Sequence, residues 1–539
     1  MVRLSRLGGG SWNAMSPASE TTAAITAHAG APSTRSKIKT LADLAAILTG
    51  HRANGSRVVL CHGVFDLLHV GHIRHFESAK QHGDILVVTL TPDRFVNKGP
   101  HRPAFSEALR AESLAALSCI DYVAINDQPM SIELIGLLKP HFYVKGADYK
   151  DADKDVTGGI TLEQKAVESV GGKIVFTDDI VFSSSTLINK HVPVFSSEVT
   201  SYLDGFTRRY SSDDVLRYLE LMRPLKVLAV GEAIIDEYTY CQAIGKSSKE
   251  PIIAVKETSS ERFAGGILAV ANNVSAFSDN VGLVSLVGDR DTHDDFVKSS
   301  LRDTIYSHLL VRSNSPTIAK KRFIEDYFFT KMFEVYTIND APLDRSDNMK
   351  LCALLEEVVP QYDVVVVVDF GHSMMTTEAA RVVAEKAKFL AVNTQSNAGN
   401  LGYQTIFKYP KADYVCITQD EARLEMRDRS SDLNEIVAKL SDDLSCSKVV
   451  VTRGKSGSIA YRAGQGFVET PALAGHVVDR MGAGDAFLSV TSMLAALDAP
   501  MEILSFIGNA VGAQAVATIG HRESISRAGL WKFLTSLLK

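Results

Sequence analysis

The chain has 539 residues, which is too long for one ordinary hydrophobic core and suggests several domains. Its hydrophobic fraction of 45% and charged fraction of 22% exclude a disordered or fibrous protein. The formal net charge of −6 excludes a general attraction to nucleic acid or to an anionic membrane, so an anionic substrate must be held by local groups.

The N-terminal residues and the cysteines indicate the cellular setting. Residues 1–36 are rich in Ser, Ala, Thr and Gly and lack the apolar segment of a secretory signal, so we interpret them as a disordered extension. The six cysteines show no CxxC pair and no metal-ligand spacing, which favours free thiols in the cytoplasm. No apolar run approaches the roughly 20 residues that a membrane helix needs.

The first domain is predicted over residues 37–190, where strand-like and helix-like stretches alternate. Strands are predicted at 57–61, 85–90, 122–125, 142–145 and 173–176. Helical spacing is found at 38–50, 72–82, 106–118, 131–138 and 161–170. Such alternation indicates an α/β fold with a parallel sheet and right-handed crossovers.

A second series of strands and helices is predicted over residues 225–539, and its first strand is expected at 226–231. Residues 191–224 contain two prolines and partly helical spacing, and they are predicted to form a connector. The sequence therefore predicts two doubly wound parallel-sheet domains.

A first candidate site lies in residues 62–72, directly after the first predicted strand. His69 and His72 straddle Gly71 at the start of a helix, where two imidazoles and free backbone N–H groups can face nucleotide phosphates. An isolated H-x-G-H pattern also fits ordinary histidines at a helix start. The surrounding string favours the nucleotide site, and its further members are Gly63, Phe65 and Asp66.

Other basic and hydroxyl side chains are predicted to contact the same nucleotide. Lys98 and Arg102 offer positive charge, and a set of hydroxyls precedes an apolar run, as at a helix N-terminus; these hydroxyls belong to Ser184, Ser185 and Thr186. This set suits attack by a substrate phosphate on the α-phosphorus of a nucleoside triphosphate with release of pyrophosphate. Positioning and positive charge are sufficient for that reaction.

Residues 57–190 resemble the nucleotidyltransferase superfamily marked by the motifs G-x-F-D-x-x-H-x-G-H and S-S-T-x-I. Residues 98–103 and 144–150 resemble the adenylyltransferase domain of bifunctional heptose kinase/adenylyltransferases. The resemblance implies a Rossmann-like fold and catalytic roles for His69, His72 and Lys98. It also implies that Lys145 and Asp148 lie beside the sugar phosphate, for which the alternative is a solvated loop.

A second candidate site lies in residues 477–487, a Gly-rich turn that leads into an apolar helix. Backbone N–H groups around Ala483 can converge on an anion, and Asp485 can take the proton from a sugar hydroxyl that attacks a γ-phosphate. Acidic charge beside the transferring phosphate calls for a metal ion, for which Mg²⁺ is best suited. A G-A-G-D string alone also fits a plain helix-capping turn.

Residues 226–539 resemble the ribokinase-like (PfkB) sugar kinases, because this turn is accompanied by similar segments at 231–236, 263–266 and 450–454. The resemblance implies that Asp485 is the catalytic base and that Gly482, Ala483 and Gly484 form the anion hole. Sugar contacts are implied for Asp236, Gly265, Gly266 and Asp369. ATP contacts are implied for Thr452, Arg453, Gly454 and Asn509. Glu421 is expected to organise the water shell of the metal.

Three positions depart from this family's pattern. Ala269 and Thr418 each stand where the family commonly has Asn, and Asn393 stands where it has a strand-end Asp. These positions surround the expected sugar and metal sites. They therefore bear on the identity of the acceptor more than on the type of reaction.

Together the two halves resemble the bifunctional enzymes of heptose activation, with the domain order reversed. The resemblance implies ATP-dependent phosphorylation of heptose 7-phosphate and then transfer of an adenylyl group from ATP to the sugar 1-phosphate. Lys320, Lys321 and Arg322 are predicted to hold a substrate phosphate, although a solvated basic edge is the alternative. The stretch 323–333 is predicted to form a small β lid and, by the same resemblance, the contact of a homodimer.

Two other functions remain open at this stage. One is a cytidylyltransferase, which uses CTP, fused to a kinase for another sugar or polyol. The other is a sugar or nucleotide sensor with degenerate sites, against which the retained His69, His72, Lys98 and Asp485 argue. In each case the expected partners are small molecules, with neither nucleic acid nor membrane involved.

Overall fold

A computed structural model describes residues 34–96, 102–146, 159–177 and 195–538 of the chain. Its first unit contains a five-stranded sheet in the order β3-β2-β1-β4-β5, and every neighbouring pair is parallel. The strands are β1 (Val58–Gly63), β2 (Ile85–Leu90), β3 (Tyr122–Ile125), β4 (Phe142–Gly146) and β5 (Lys173–Thr177). The helices are α1 (Leu41–Ala53), α2 (Val70–Lys80), α3 (Glu107–Ala115), α4 (Ile132–Leu138) and α5 (Gly159–Ser169).

Both faces of this sheet are covered by helices. In β1, Val59 and Cys61 pack into a core with α2 and α3, whereas Val58 and Leu60 pack into a second core with α1 and α4. Successive strand residues point to opposite faces, so an uninterrupted apolar strand fills both cores. The order of the strands reverses between β1 and β4, and in such sheets ligands bind beyond the carboxyl ends of the strands at this point.

Regular structure is already present before residue 37, the predicted start of the first domain. Residues Thr34–Lys37 form one turn of 3₁₀ helix. The Lys37 ammonium donates hydrogen bonds of 2.8 Å to the carbonyls of Leu117 and Ile120, which ties this turn to the end of α3. The rest of the predicted extension lies outside the described residues.

The second unit is built on a nine-stranded sheet in the order β10-β9-β6-β13-β14-β15-β16-β17-β18. It is parallel from β10 to β16 and antiparallel from there to β18. Its strands are β6 (Lys226–Gly231), β9 (Asn280–Arg290), β10 (Ile305–Pro316), β13 (Val364–Asp369), β14 (Leu390–Thr394), β15 (Tyr414–Thr418), β16 (Lys448–Thr452), β17 (Ser458–Arg462) and β18 (Gly466–Thr470).

A second, four-stranded sheet in the order β12-β11-β7-β8 forms the lid sheet of this unit. Its strands are β7 (Ala233–Lys246), β8 (Ile253–Gly266), β11 (Ile318–Glu325) and β12 (Thr330–Thr337). The helices of the unit are α6 (Ser197–Thr207), α7 (Ser212–Leu221), α8 (Ile267–Val274), α9 (Asp294–Ser300), α10 (Arg345–Val358), α11 (Thr377–Lys386), α12 (Gln419–Glu425), α13 (Leu433–Asp443), α14 (Ala483–Ala496), α15 (Met501–Ala515) and α16 (Arg527–Leu537). Two α/β units and a β lid are therefore present, as predicted.

The described part of the predicted connector, residues 195–224, contributes to the core of the second unit. Helices α6 and α7 contribute buried residues to the same hydrophobic cluster as α14 and α15. The Phe206 ring is fully buried and stacks on Phe506, with ring centroids 4.3 Å apart. The segment from residue 195 onward therefore belongs structurally to the second unit.

We expect Phe206→Ala to lower the free energy of unfolding of the second unit by about 3–5 kcal/mol, because it removes a buried aromatic ring and leaves a cavity. Urea unfolding followed by the fluorescence of Trp531, which packs against the same cluster, measures this change. Tyr403→Ala is the matched control, since Tyr403 is 90% exposed. Equal stability of the two variants would show that α6 does not stabilise the unit.

The structure also bears on the cysteines and on membrane association. All six cysteines are described, and each is a free thiol. Within the described ranges, no helix combines the length and the apolar character needed to cross a bilayer.

Candidate active sites

The two predicted histidines of the first unit lie together at the start of α2. His69 is the N-cap residue, and its Nδ1 accepts a hydrogen bond of 3.1 Å from the backbone N–H of Gly71. The rings of His69 and His72 stack with centroids 3.9 Å apart. Burial lowers the pKa of His69, which favours the neutral ring. A neutral ring that accepts at Nδ1 carries its hydrogen on Nε2 and can donate it there.

Gly63 and Phe65 shape this pair of histidines. A Cβ atom at Gly63 would lie 3.0 Å from the Phe65 ring, so a glycine lets that ring lie close to the end of β1. Phe65 has a left-handed backbone with φ of 47°, and its ring meets the His72 ring edge-on at 5.4 Å. Both residues therefore act on the histidines through packing.

Asp66 and Arg102, both predicted to contact the nucleotide, bind each other. The Arg102 Nε lies 2.5 Å from the Asp66 carboxylate, and 3% and 1% of the two side chains are exposed. Asp66 also accepts backbone hydrogen bonds from Ala104 (2.7 Å) and Phe105 (3.2 Å). The ion pair thus fixes the segment that enters α3 beside the end of β1.

Lys145 lies at the carboxyl end of β4, next to β1, and pairs with Glu163 of α5 at 2.9 Å. Glu163 also accepts hydrogen bonds from the hydroxyls of Tyr143 (2.9 Å) and Ser131 (2.5 Å). Burial acts to raise the pKa of Glu163, but Lys145 and these hydrogen bonds hold it below its ordinary value. The sequence analysis missed Glu163 because nothing in its helix marks it as a partner of Lys145.

The remaining predictions for the first unit fall outside the described residues. They concern Lys98, Asp148, Ser184, Ser185 and Thr186. The described part of the site therefore consists of the histidine pair at the end of β1 and the Lys145–Glu163 pair at the end of β4.

In the second unit, a cavity of about 230 Å³ lies between the carboxyl edge of the large sheet and the lid sheet. It brings together residues that are distant in the sequence, and the predicted ones that line it are Asp236, Gly266, Lys320, Arg322, Glu421, Thr452, Gly482, Gly484 and Asp485. The cavity therefore unites both sides of the predicted kinase site, the sugar side and the ATP side.

Asp485 lies in the first turn of α14, at the base of the cavity. Gly482 precedes the helix with φ of 74°, a left-handed conformation that favours glycine. The first N–H groups of a helix have no partner within it, so an anion can bind there. Burial raises the pKa of Asp485, whereas His521 and a 2.6 Å hydrogen bond from the Gln395 amide act in the opposite direction.

Asp236 projects from β7 of the lid sheet and is held by Arg322 of β11, whose guanidinium donates to its carboxylate. A Cβ atom at Gly265 would lie 2.2 Å from the Asp236 Oδ2. Gly265 therefore allows this close approach of the carboxylate, although it does not itself line the cavity.

The three predicted basic residues of β11 have different surroundings. Lys321 pairs with Glu237 at 2.9 Å, and Arg322 pairs with Asp236 and Glu334. Lys320 lines the cavity, is 7% exposed and forms no ion pair with any carboxylate of the described chain. Burial lowers its pKa. Lys320 is therefore a buried amine of the lid sheet that lines the cavity without a carboxylate partner among the described residues.

The residues predicted to lie near ATP divide into two groups. Thr452 and Glu421 line the cavity, and the Glu421 carboxylate accepts hydrogen bonds of 2.8 Å from the Thr418 backbone and hydroxyl. Arg453 pairs with Glu469 at 3.0 Å, and the Asn509 amide donates to the Ser458 hydroxyl at 2.7 Å. In this structure Arg453 and Asn509 organise the strands beside the cavity.

Asp369 is at the end of β13 and is 0% exposed, and it is not among the residues that line the cavity. Its carboxylate lies 2.5 Å from the Lys408 ammonium and accepts a 2.7 Å hydrogen bond from the Tyr409 hydroxyl. Burial and the nearby Asp369 charge raise the pKa of Glu232 to about 7. Asp369 thus belongs to a buried charged cluster behind the cavity, which the sequence analysis missed.

Two family models match the chain. The model described as pfkB family carbohydrate kinase matches residues 224–528, and the model described as cytidylyltransferase-like matches residues 60–191. The cytidylyltransferase-like match contains the histidine pair of α2, and the kinase match contains the complete lining of the cavity. The order of the two matches is the order that the motifs predict.

The N-terminal part is also similar to proteins named "Bifunctional protein HldE". The one from Geobacter metallireducens is 42% identical over 165 residues, which cover 30% of this chain and 32% of that protein. The one from Geotalea uraniireducens is 42% identical over 159 residues, which cover 29% of this chain and 31% of that protein. The matched part therefore spans about a third of the length of these relatives.

Among solved structures, phosphofructokinase-2 from Escherichia coli in complex with potassium is similar to this chain with a TM-score of 0.48 and 14% sequence identity. The similarity covers 59% of this chain and 100% of that one.

Proposed function

This chain belongs to the pfkB family of carbohydrate kinases, and on that premise we propose that it is a bifunctional enzyme that makes a nucleotide-activated sugar. The kinase unit transfers the γ-phosphoryl group of ATP to the anomeric hydroxyl of a phosphorylated sugar, with heptose 7-phosphate as the proposed substrate. The transferase unit then joins the sugar 1-phosphate to the adenylyl group of ATP and releases pyrophosphate. The similarity to bifunctional proteins supports this pairing of steps.

The main support for the kinase proposal is a single cavity lined by a carboxylate that can act as a base, an anion-binding turn and a buried ammonium. Asp485 takes the proton of the attacking hydroxyl, and the N–H groups at the start of α14 bind the transferring phosphoryl group. Asp236 orients the sugar hydroxyls. Lys320, which lacks a carboxylate partner among the described residues, binds the phosphate that the sugar already carries.

The transferase proposal needs no covalent intermediate. His69 can donate a hydrogen from Nε2 to a phosphate oxygen of the nucleotide, and the start of α2 supplies backbone N–H groups. Lys145, at the adjoining end of β4, is placed to bind the sugar phosphate. Lys98 and the hydroxyls of residues 184–186 remain proposed contacts. The protein's contribution is orientation of the two phosphates and stabilisation of negative charge.

Magnesium fits the kinase cavity as an ion shared with the nucleotide. Among the described residues, no three His, Cys, Asp or Glu side chains are grouped closely enough to hold a metal ion by themselves. Mg²⁺ usually keeps several waters and binds through one or two carboxylates and substrate phosphates. Glu421, whose carboxylate lines the cavity, would hold such a water, and the ion would supply positive charge beside the phosphates.

The lid sheet supports a proposed homodimer. Its tip carries exposed apolar residues: Tyr327 is 84% exposed, Phe328 is 77% exposed, and Ile253 on β8 is 74% exposed. Apolar surface of this kind is typical of a protein contact. Sedimentation velocity of the wild type and of a Tyr327→Ser/Phe328→Ser variant tests this, and a monomeric wild type would contradict it.

The kinase rate is expected to fall at acidic pH. Asp485 must be ionised to accept a proton, and its pKa is raised by burial. The value of kcat/KM for the sugar should therefore decrease as pH falls through a pKa above that of an ordinary aspartate. Sugar-dependent ADP release measured across pH at saturating ATP shows this midpoint. A rate that stays constant down to the ordinary aspartate range would contradict the role of Asp485.

The proposed function is tested by mass spectrometry of the products formed from Mg²⁺, ATP, CTP and heptose 7-phosphate. An ADP-heptose product supports both steps. A CDP-sugar would keep the two reactions but favour the cytidylyltransferase alternative. If a sugar bisphosphate is the sole product, the kinase step is supported and the proposed substrates of the transferase step are refuted. If a wider panel of sugars yields no product while nucleotides bind, the sensor alternative is favoured.

A further inference from the structure

His521 has no role in the function proposed above, although its side chain lines the kinase cavity. It lies between α15 and α16, outside the motifs that mark the two sites. Its side chain is 11% exposed. A polar ring that is largely buried at a reaction site needs a hydrogen-bonding partner, which a substrate can supply.

The backbone around His521 is held on both sides. The N–H of Gly520 donates to the Asp479 carboxylate at 3.0 Å. Gly520 has φ of 51°, and a Cβ atom at this position would lie 3.2 Å from the Phe263 ring. The Arg522 guanidinium binds Glu261 of β8 at 2.5 Å. The position of the imidazole is therefore set by the anchored residues on each side.

The imidazole lies against the anion-binding turn. A Cβ atom at Gly482 would lie 2.0 Å from Cε1 of His521, 2.7 Å from Nδ1 and 2.8 Å from Nε2. The ring edge that carries both nitrogens thus faces the residue that begins the turn. Nε2 also lies 3.8 Å from Oδ2 of Asp236, beyond hydrogen-bond distance. Within the described ranges, no side chain or carbonyl accepts a hydrogen bond from this ring.

The charges in the cavity explain why a donor is needed at this place. Asp236, Glu421 and Asp485 all line it, and the transferring phosphoryl group adds further negative charge. Among neighbouring charges, His521 is the one that favours the ionised form of Asp485, whereas Asp236 and Glu421 oppose it. Lys320 lies on the lid side, where it is assigned to the phosphate of the sugar. Beside the turn itself, Arg480 and His521 both line the cavity, and His521 is the largely buried one of the two, whereas Arg480 is exposed.

We propose that His521 is a further catalytic residue of the kinase site, whose ring N–H donates a hydrogen bond to a γ-phosphoryl oxygen of ATP beside the N–H groups of the turn. This rests on the proposed kinase reaction. In that step the sugar oxygen forms a bond to the γ-phosphorus, the bond from this phosphorus to the bridging oxygen breaks, and its electron pair leaves with ADP. The hydroxyl proton goes to Asp485, and His521 keeps its proton throughout.

Three substitutions separate hydrogen bonding from packing. His521→Phe keeps a ring against Gly482 but removes the donor, His521→Ala removes both, and His521→Gln restores an N–H donor. Arg527→Ala is the matched control, because Arg527 pairs with Glu220, does not anchor His521 and does not line the cavity.

Calorimetric titration of the full-length chain with ADP and with β,γ-methylene-ATP tests the contact without any sugar. We expect His521→Phe and His521→Ala to weaken binding of the triphosphate analogue at the kinase site roughly tenfold or more, the scale of a hydrogen bond to a charged group. The affinity for ADP should remain as in the wild type. His521→Gln should retain most of the wild-type affinity for the triphosphate analogue. With an accepted sugar, the Phe variant should lose about 10²-fold in kcat.

The outcomes separate the two proposals. If the wild type phosphorylates no sugar, the proposed function fails, and the nucleotide titrations still decide the role of His521. If His521→Phe binds the analogue as tightly as the wild type, or if ADP and the analogue weaken equally, the ring acts only in packing and the inference is overturned. The same holds if Arg527→Ala reproduces the defect.

Discussion

Replacing Asp485 with Asn is expected to lower the kcat of sugar phosphorylation by about 10²- to 10⁴-fold, the usual contribution of a general base. The substitution keeps the size of the side chain and an oxygen that can accept the hydrogen bond from Gln395. It removes the negative charge and with it the capacity to take a proton. The measurement is sugar-dependent ADP release at saturating ATP and sugar.

Pyrophosphate release by the same Asp485→Asn protein is the internal control, because the two reactions use separate sites. It should remain at the wild-type rate when the sugar 1-phosphate is supplied. Binding of ATP at the kinase site should also persist, because the start of α14 is unchanged. A fully active Asn variant would show that another group takes the proton, and loss of both activities in a folded protein would contradict independent sites.

The sequence was sufficient to predict the sheet that positions the first site. The strands at 85–90 and 122–125 have the predicted bounds, and the other strands of that unit differ by one or two residues. These strands are buried on both faces and therefore appear as short, continuous apolar runs. Because residues at the carboxyl ends of such strands meet at one edge of the sheet, the same pattern predicted that the motif of residues 62–72 lies at that edge.

The pairing of charges in the sites was not predictable from the motifs. Arg102 pairs with Asp66, Asp369 pairs with Lys408, and Lys145 pairs with Glu163, and each pair joins different elements. A motif specifies which residue type is needed at one element, whereas a buried charge is stabilised by whatever residue another element brings near it. Sequence spacing therefore does not show which residue of another element will pair with the motif residue.

The predicted connector shows a related limit of prediction from sequence. Its helices were expected from their spacing, but their membership of the kinase core was not. Val199, Leu203 and Phe206 face that core at helical intervals, which shows that α6 has a buried side without showing what covers it. Only the three-dimensional structure identifies α15 and its Phe506 as the covering surface.

Replacing His69 with Asn is expected to abolish pyrophosphate release, with a loss of at least about 10²-fold in kcat. His69 both caps α2 through Nδ1 and offers a donor at Nε2. Asn is among the best helix N-caps, so this variant should preserve the start of the helix and remove the imidazole. The loss can then be assigned to the missing imidazole, because the shorter amide of Asn does not reach the position of Nε2. Pyrophosphate release from ATP and the sugar 1-phosphate is the measurement.

His69→Ala extends the test, because it removes the cap as well and should cost a further 0.5–2 kcal/mol of stability in the transferase unit, about the value of an N-cap. Its activity should be no lower than that of the Asn variant if the donor alone drives the reaction. Sugar-dependent ADP release should remain in both variants, since all the described residues that line the kinase cavity lie from 234 onward. Retained pyrophosphate release in the Asn variant would exclude His69 from the chemistry and leave it the role of a helix cap.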